Sequence, residues 1–180
     1  MRALPIVSSA LFSLTIATAA FAAGSDSTTP PKPTETTKSC KDGMIFDKKT
    51  KKCVKADASI LNDDMRYLAA RELAYGERYE SAMAALDAAE NQNDPRILNY
   101  RGFVNRKLGN MDKAMASYRD AIAADPDYIL ARSYMGQGLI EQGDLVGALA
   151  QLHEIENRGG RETWAYAALD QALRGMPTSY

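Results

Sequence analysis

Residues 102–126 read GFVNRKLGNMDKAMASYRDAIAADP, and features of this stretch return 34 residues further along the chain. Tyrosine, glycine and alanine occupy equivalent positions in the two copies. The matched pairs are Tyr100/Tyr134, Gly102/Gly136, Gly109/Gly143 and Ala114/Ala148. Periods of this size are typical of stacked helical hairpins, because one hairpin cannot bury its apolar face alone. The sequence therefore predicts an all-α fold made of repeated helix pairs.

Signals for helix ends divide this repeat into two helices. Asp94 is a capping residue and is followed by Pro95, which is favoured in the first helical turn. Gly109 tolerates the left-handed conformation that often ends a helix. The second helix then stops before Pro126, which cannot continue it. We therefore expect a helical hairpin with its turn at Gly109.

Small residues are predicted at the contact between the two helices. Gly102 on the first helix and Ala114 on the second allow the two backbones to approach closely. Tyr118 lies one helical turn beyond Ala114 and is expected to fill the space beside them. The hairpin is thus expected to pack through a small-residue contact with one large aromatic neighbour.

The pattern Gly-x6-Gly-x4-Ala-x3-Tyr-x2-Ala-x4-Pro in this segment resembles a tetratricopeptide repeat. The resemblance implies a short right-handed solenoid of three such helical hairpins over residues 62–174. A capping helix over 162–174 would cover the exposed face of the last hairpin. The first hairpin begins behind Asn62, a capping residue, with a helix from Asp63 to Tyr75.

The resemblance also implies a function, because tetratricopeptide proteins bind peptides in a concave groove lined by the first helix of each hairpin. The protein is therefore expected to be a non-catalytic scaffold for a protein or peptide partner. Basic members of the groove favour an acidic or carboxylate-ended ligand, and aromatic members favour a binding hot spot. Alternatively, these side chains are ordinary solvated helix faces and a partner uses the convex surface. By repeat position, the groove residues are Tyr67, Arg71, Tyr75, Asn99, Phe103, Arg106, Lys107, Ser133 and Gln137, with Ile140 and Glu141 beyond them.

The N-terminal region is predicted to be a leader and a tether. Residues 1–22 combine Arg2, an apolar run and a small-x-small ending, which is typical of a secretory signal peptide. Serines and threonines within the run disfavour the alternative of a membrane anchor, so no stable membrane insertion is expected after cleavage. Residues 23–39 are rich in Ser, Thr and Pro and are expected to be a disordered linker. A periplasmic or secreted protein is the prediction, with 175–180 as a short tail.

The chain has two cysteines, Cys40 and Cys53, and export makes a disulfide between them the expected state. Apolar residues 44–46 can form a short strand, residues 47–50 are turn-forming, and residues 52–54 can return as the partner strand, which predicts a β-hairpin. Residues 40–54 should therefore form a small disulfide-closed hairpin that folds independently of the helices. Closing so short a loop contributes about 3 kcal/mol by the chain-entropy estimate.

The same hairpin is strongly basic, since segment 38–55 has seven lysines against two aspartates. It is similar to the cysteine hairpin of peritrophin-type chitin-binding modules, which implies a glycan- or cell-wall-binding accessory role as the alternative function. Two further interpretations stay open. The lysines attract anionic envelope polymers or lipid headgroups, or they are simply solvated on a stapled spacer.

No catalytic motif is recognisable in the sequence. His153 is the single histidine, and a structural role on a helix surface is the expectation. Nucleophile elbows, zinc-binding HExxH patterns and Walker loops do not occur. We therefore expect no cofactor, no metal and no enzymatic activity. Nucleic acid is also not an expected partner, because the net charge of the chain is −1.

Overall fold

The computed structural model describes residues 29–30 and 40–177. Within them the protein is mostly helical and carries one small antiparallel β-hairpin. The predicted leader, nearly all of the predicted linker and residues 178–180 of the tail lie outside the described residues. The elements are β1 Met44–Asp47, β2 Lys52–Lys55, α1 Asp63–Tyr75, α2 Tyr79–Asp87, α3 Pro95–Lys107, α4 Met111–Ala124, α5 Ile129–Glu141, α6 Leu145–Asn157 and α7 Trp164–Leu173, with a short 3-10 turn Gly160–Glu162 before α7.

The helix starts follow the capping residues that the sequence contains. Asn62 accepts a hydrogen bond from the backbone N–H of Met65 at 2.9 Å and so caps α1. Asp94 accepts one from the N–H of Arg96 at 2.8 Å, directly before the first-turn proline of α3. Each cap satisfies a helix N–H group that has no partner within its own helix. Both predicted helix starts are confirmed.

The turns inside the hairpins differ between the first repeat and the later ones. Gly109 and Gly143 have φ of +79° and +82° and end the first helices of the second and third hairpins. In the first hairpin Gly76 keeps a negative φ of −83°, and Glu77 takes the left-handed conformation with φ +59°. The difference arises because α1 ends at Tyr75, directly before Gly76, whereas α3 ends two residues before Gly109. The left-handed residue that follows the helix is therefore Glu77 and not the glycine.

The helices are arranged in two sets. Helices α1, α3 and α5 each pack against the even-numbered helix that follows, and α1, α3, α5 and α7 also contact one another in succession. Helix α7 lies on both α5 and α6. The odd-numbered helices therefore form a continuous layer, with the core between it and the even-numbered helices.

Close backbone approach depends on Gly102, as the sequence predicts. A Cβ atom at this position would lie 2.5 Å from the Cδ1 and Cε1 atoms of the Tyr118 ring, which is fully buried. Gly136 has the equivalent role in α5, but its neighbour is Leu169 of α7 and not Leu152, the counterpart of Tyr118. Helix α7 thus takes a place in the packing that the third hairpin does not fill by itself.

The Cys40–Cys53 disulfide closes the β-hairpin as expected. The hairpin was also expected to be independent of the helices, but in the structure it contacts them. It packs on α1 and α2, and Ile45 is buried in the same core as the helices. The carboxylate of Asp42 accepts hydrogen bonds from Arg78 at 2.8 Å and from the hydroxyl of Ser81 at 3.1 Å. The expectation of an independent knob is wrong, because these contacts join the hairpin to the first helix pair.

Candidate functional site

Six aromatic rings connect the odd-numbered helices and form what we call the aromatic ladder. The ring centroids of Tyr67 and Tyr100 are 5.7 Å apart, and those of Tyr100 and Tyr134 are 6.1 Å apart. Such edge-on and offset contacts are the favoured geometries for aromatic pairs. The ladder thereby joins α1, α3, α5 and α7. Its members are Tyr67, Tyr75, Tyr100, Phe103, Tyr134 and Trp164.

The structure brings several of the predicted groove residues together within this ladder. Tyr75 stacks on Phe103 with ring centroids 5.4 Å apart, and the Tyr75 hydroxyl lies 2.7 Å from the Tyr134 hydroxyl. The guanidinium of Arg106 and the ammonium of Lys107 lie 5.7 and 5.6 Å from the Phe103 ring centroid. Both distances allow cation–π attraction. The result is an aromatic cluster with two cations at its edge.

Burial separates the predicted groove residues into two groups. Arg71, Tyr75 and Lys107 are half-buried and keep some exposed surface. The others contact their own chain, since adjacent odd-numbered helices pack on the positions where repeat register places the groove. Partner binding by these buried side chains stays a prediction, and it would require the helices to separate. The buried group comprises Tyr67, Asn99, Phe103, Arg106, Ser133 and Gln137.

Polar members of the buried group form a chain of hydrogen bonds across the odd-numbered layer. Arg106 donates to Glu141 at 2.5 Å and to the side-chain oxygen of Gln137 at 3.4 Å. Gln137 donates to the hydroxyl of Ser133, which in turn donates to the backbone carbonyl of Ala165 at 2.6 Å. A buried charge is tolerated when it is paired and hydrogen-bonded in this way. These side chains therefore connect α3, α5 and α7.

Lys107 is a half-buried cation at the edge of the aromatic ladder. Burial, followed by the nearby charge of Arg106, lowers the pKa of Lys107 below its ordinary value. Both effects disfavour the charged form, so an added carboxylate beside the ammonium would be electrostatically favourable. Tyr118 lies below this surface, where burial raises the pKa of its phenol to about 12 and keeps it neutral.

Sequence reasoning did not anticipate a contact between Arg71 and the region that precedes the hairpin. The guanidinium of Arg71 donates a hydrogen bond of 2.9 Å to the backbone carbonyl of Thr29. Arg71 lies on α1, in the odd-numbered layer. A peptide carbonyl is therefore held at a position where the resemblance placed ligand contacts. No local signal in the sequence connects two residues so far apart.

The turn of the β-hairpin presents its lysines to solvent. Asp47 faces inward and accepts hydrogen bonds from the hydroxyl of Thr50 and from the backbone N–H groups of Lys49 and Thr50. The Thr50 hydroxyl is the main cause that lowers the pKa of Asp47. The lysines around this turn and on the strands are exposed: Lys41, Lys48, Lys49, Lys51, Lys52 and Lys55.

His153 is exposed on α6. No group of three or more His, Cys, Asp or Glu side chains among residues 29–30 and 40–177 is placed to hold a metal ion. No helix in those residues combines the length and apolarity needed to cross a bilayer. The disulfide points to a compartment outside the cytosol.

No protein-family model matches the chain, and neither the curated proteins nor the solved structures compared with it give a match. The candidate site therefore depends on the contacts and charges of this chain alone.

Proposed function

We propose that this protein is a non-catalytic scaffold of the tetratricopeptide type, which binds a protein or peptide partner on the face of its odd-numbered helices. The supporting observation is the continuous layer of α1, α3, α5 and α7, joined by the aromatic ladder. Three helix pairs and a capping helix in this order are compatible with a short right-handed solenoid. Such solenoids present extended surfaces for recognition.

An acidic or carboxylate-ended peptide is the proposed ligand. Arg71 already donates to the backbone carbonyl of Thr29 in its own chain, and Lys107 adds a half-buried ammonium beside Phe103. A ligand carboxylate beside either cation would accept a charge-assisted hydrogen bond, which is stronger than a neutral one. Tyr75 would contribute apolar contact next to them. Binding should weaken as salt is added, since part of the attraction is between exposed charges.

The proposed compartment is the periplasm or the extracellular space. Support comes from the leader-like sequence of residues 1–22 and from the disulfide, which persists in oxidising environments. In this proposal residues 23–39 tether the folded part.

The test is a binding assay against a library of peptides, each synthesised with a free and with an amidated carboxyl terminus. Peptides with acidic residues and a free terminus should bind best. Arg71→Glu combined with Lys107→Glu should abolish this preference, because both changes place a carboxylate where the ligand carries one. The control is Lys113→Glu combined with Arg119→Glu, an equal change of charge at exposed positions on α4.

Equal loss of binding in both double variants would contradict the assignment of the ligand to the odd-numbered face, because charge alone would then explain the effect. Far-UV circular dichroism should show the same helicity in all variants. A folded protein that binds no peptide of either kind would contradict the proposed function itself.

The second candidate is attraction of an anionic envelope polymer to the β-hairpin. The observation that favours it is the outward position of six lysines, while Asp47 is directed inward and Asp42 is paired with Arg78. Retention of the protein on polyglutamate-coated beads, lost with rising salt, would test it. Replacing Lys51 and Lys52 by Gln should reduce retention, and retention on neutral chitin instead would favour glycan binding.

A further inference from the structure

An apolar cleft lies between the β-hairpin and α1, on a different part of the protein from the aromatic ladder. Its volume is about 250 Å³. This is close to the lower end of the range for small-molecule sites, roughly 300–1,000 Å³. The cleft walls come from β1, the segment before α1 and α1 itself. The apolar lining consists of Ile45, Phe46, Leu61, Met65, Leu68 and Ala69.

Leu68 is the most exposed part of this lining. It lies on α1, and 53% of its surface is accessible although the wall beside it is apolar. An exposed leucine on an apolar cleft leaves hydrocarbon surface in contact with water. Covering that surface with an apolar ligand would be favourable in proportion to the area removed from water.

The charges of the cleft are distributed unevenly. Lys48 and Lys49 line it directly after the end of β1 and are both exposed. Glu72 lines it as well, but it also belongs to a small adjoining cavity shared with Met44 at the start of β1 and with Arg78. The lining of the cleft therefore carries two ammonium groups and a single carboxylate, and the carboxylate is shared with the adjoining cavity.

The disulfide makes this cleft a pre-formed site. Cys40 and Cys53 hold the two sides of the hairpin together, and Ile45 is fixed in the core shared with the helices. The Asp42–Arg78 ion pair adds a further link between hairpin and α2. A ligand would therefore not have to order the walls on binding, which lowers the entropic cost of association.

We infer that this cleft binds a medium-chain fatty acid, with the alkyl chain against Met65 and Leu68 and the carboxylate at Lys48 and Lys49. The apolar lining accounts for the chain, and the two lysines account for the charge and orientation of the head group. Each lysine can donate to a carboxylate while its own methylene stem covers apolar surface. The inference is independent of the proposed peptide ligand, because it concerns another face and other residues.

The experiment is isothermal titration of the oxidised protein with decanoate and decyltrimethylammonium below their micelle concentrations and with decanol below its solubility limit. Decanoate should bind best, decanol more weakly, and the cation most weakly. Octanoate should bind less tightly than decanoate by about fourfold per methylene that leaves the cleft. An equal or higher affinity for the cation, or no binding of decanoate, would overturn the inference.

Two variants assign the binding to the cleft. Leu68→Asn should weaken decanoate at least fivefold, whereas Leu149→Asn, a control leucine of similar exposure on α6, should not change it. Leu68 is exposed, so its replacement should leave the fold intact, which circular dichroism would verify. Equal effects of both substitutions would contradict the site.

The lysine pair has its own matched control. Lys48→Gln with Lys49→Gln should reduce decanoate affinity and leave decanol unchanged, while Lys51→Gln with Lys52→Gln should affect neither. The control pair lies on the same hairpin but does not line the cleft. If all four substitutions reduce binding equally, or if the protein binds anionic vesicles and not decanoate, the lysines act as a general basic surface and the inference fails.

Discussion

Replacement of Gly102 by alanine tests the packing of the first and second helices of the second hairpin. The new Cβ would lie 2.5 Å from two carbons of the Tyr118 ring, whereas favourable carbon contacts are at about 3.5–4.0 Å. The ring is rigid and fully buried, so it cannot move away without displacing its neighbours. Overpacking of this kind costs about 1–3 kcal/mol. Because two ring carbons are affected, we expect a value near 3 kcal/mol.

Helix propensity acts in the opposite direction. Alanine is favoured over glycine inside a helix by about 1 kcal/mol. The net expectation for Gly102→Ala is therefore a loss of about 2 kcal/mol in the free energy of unfolding. The matched control is Gly138→Ala, also within a helix of 13 residues. There the nearest atom would be the sulfur of Met115 at 3.1 Å, the end of a flexible side chain.

Urea unfolding followed by circular dichroism measures both variants. Gly138→Ala should be neutral or slightly stabilising, so the free energies of unfolding of the two alanine variants should differ by about 2–3 kcal/mol. Adding Tyr118→Leu to Gly102→Ala should cost less than the sum of the two single changes, because the smaller side chain relieves the contact. A Gly102→Ala protein as stable as the Gly138→Ala protein would refute the argument.

Three further outcomes are expected. Replacing Cys40 and Cys53 by serine should lower the free energy of unfolding by about 3 kcal/mol, since the bridge spans 13 residues, and urea unfolding of the oxidised protein against the variant would measure it. Asn62→Ala should cost about 1 kcal/mol by removing the cap of α1, whereas Asn62→Asp should not, and equal midpoints for both would contradict the capping role. The backbone N–H of Asn91 is the main cause that lowers the pKa of Asp63 below its ordinary value of 3.8. The charged form of Asp63 thus stabilises the native state at neutral pH, and this contribution is lost as the pH falls below about 4. Asp63→Asn should therefore show a smaller loss of stability between pH 5 and pH 2 than the parent protein in acid titrations followed by circular dichroism; identical acid profiles would argue against it.

Much of the secondary structure was predictable because its signals are local. The helix from Asp63 to Tyr75 is found at the predicted residues, since its cap and its first turn are adjacent in sequence. The left-handed conformation of Gly109 follows from the same kind of information. Even the contact of Gly102 with Tyr118 follows from helical spacing within one hairpin.

The candidate site was predictable only in part. Repeat register assigned Tyr75, Phe103, Arg106 and Lys107 to the same groove. In the structure Tyr75, Arg106 and Lys107 do lie near Phe103, and their part in binding stays a prediction. Repeat register did not predict which groove residues are buried, because burial depends on how closely the neighbouring odd-numbered helices pack.

By itself, then, the sequence determined the repeat period, the starts of α1 and α3, the small-residue contact and the pairing of Cys40 with Cys53, whereas the last helix, expected over 162–174, spans Trp164–Leu173. Each of these depends on residues close together in the chain, or, for the disulfide, on the fact that two cysteines allow only one pairing. Tertiary structure alone decided which groove residues are buried, where the β-hairpin lies and that an apolar cleft opens beside Leu68. The physical reason is that burial is a property of surfaces from distant segments, which no local pattern specifies.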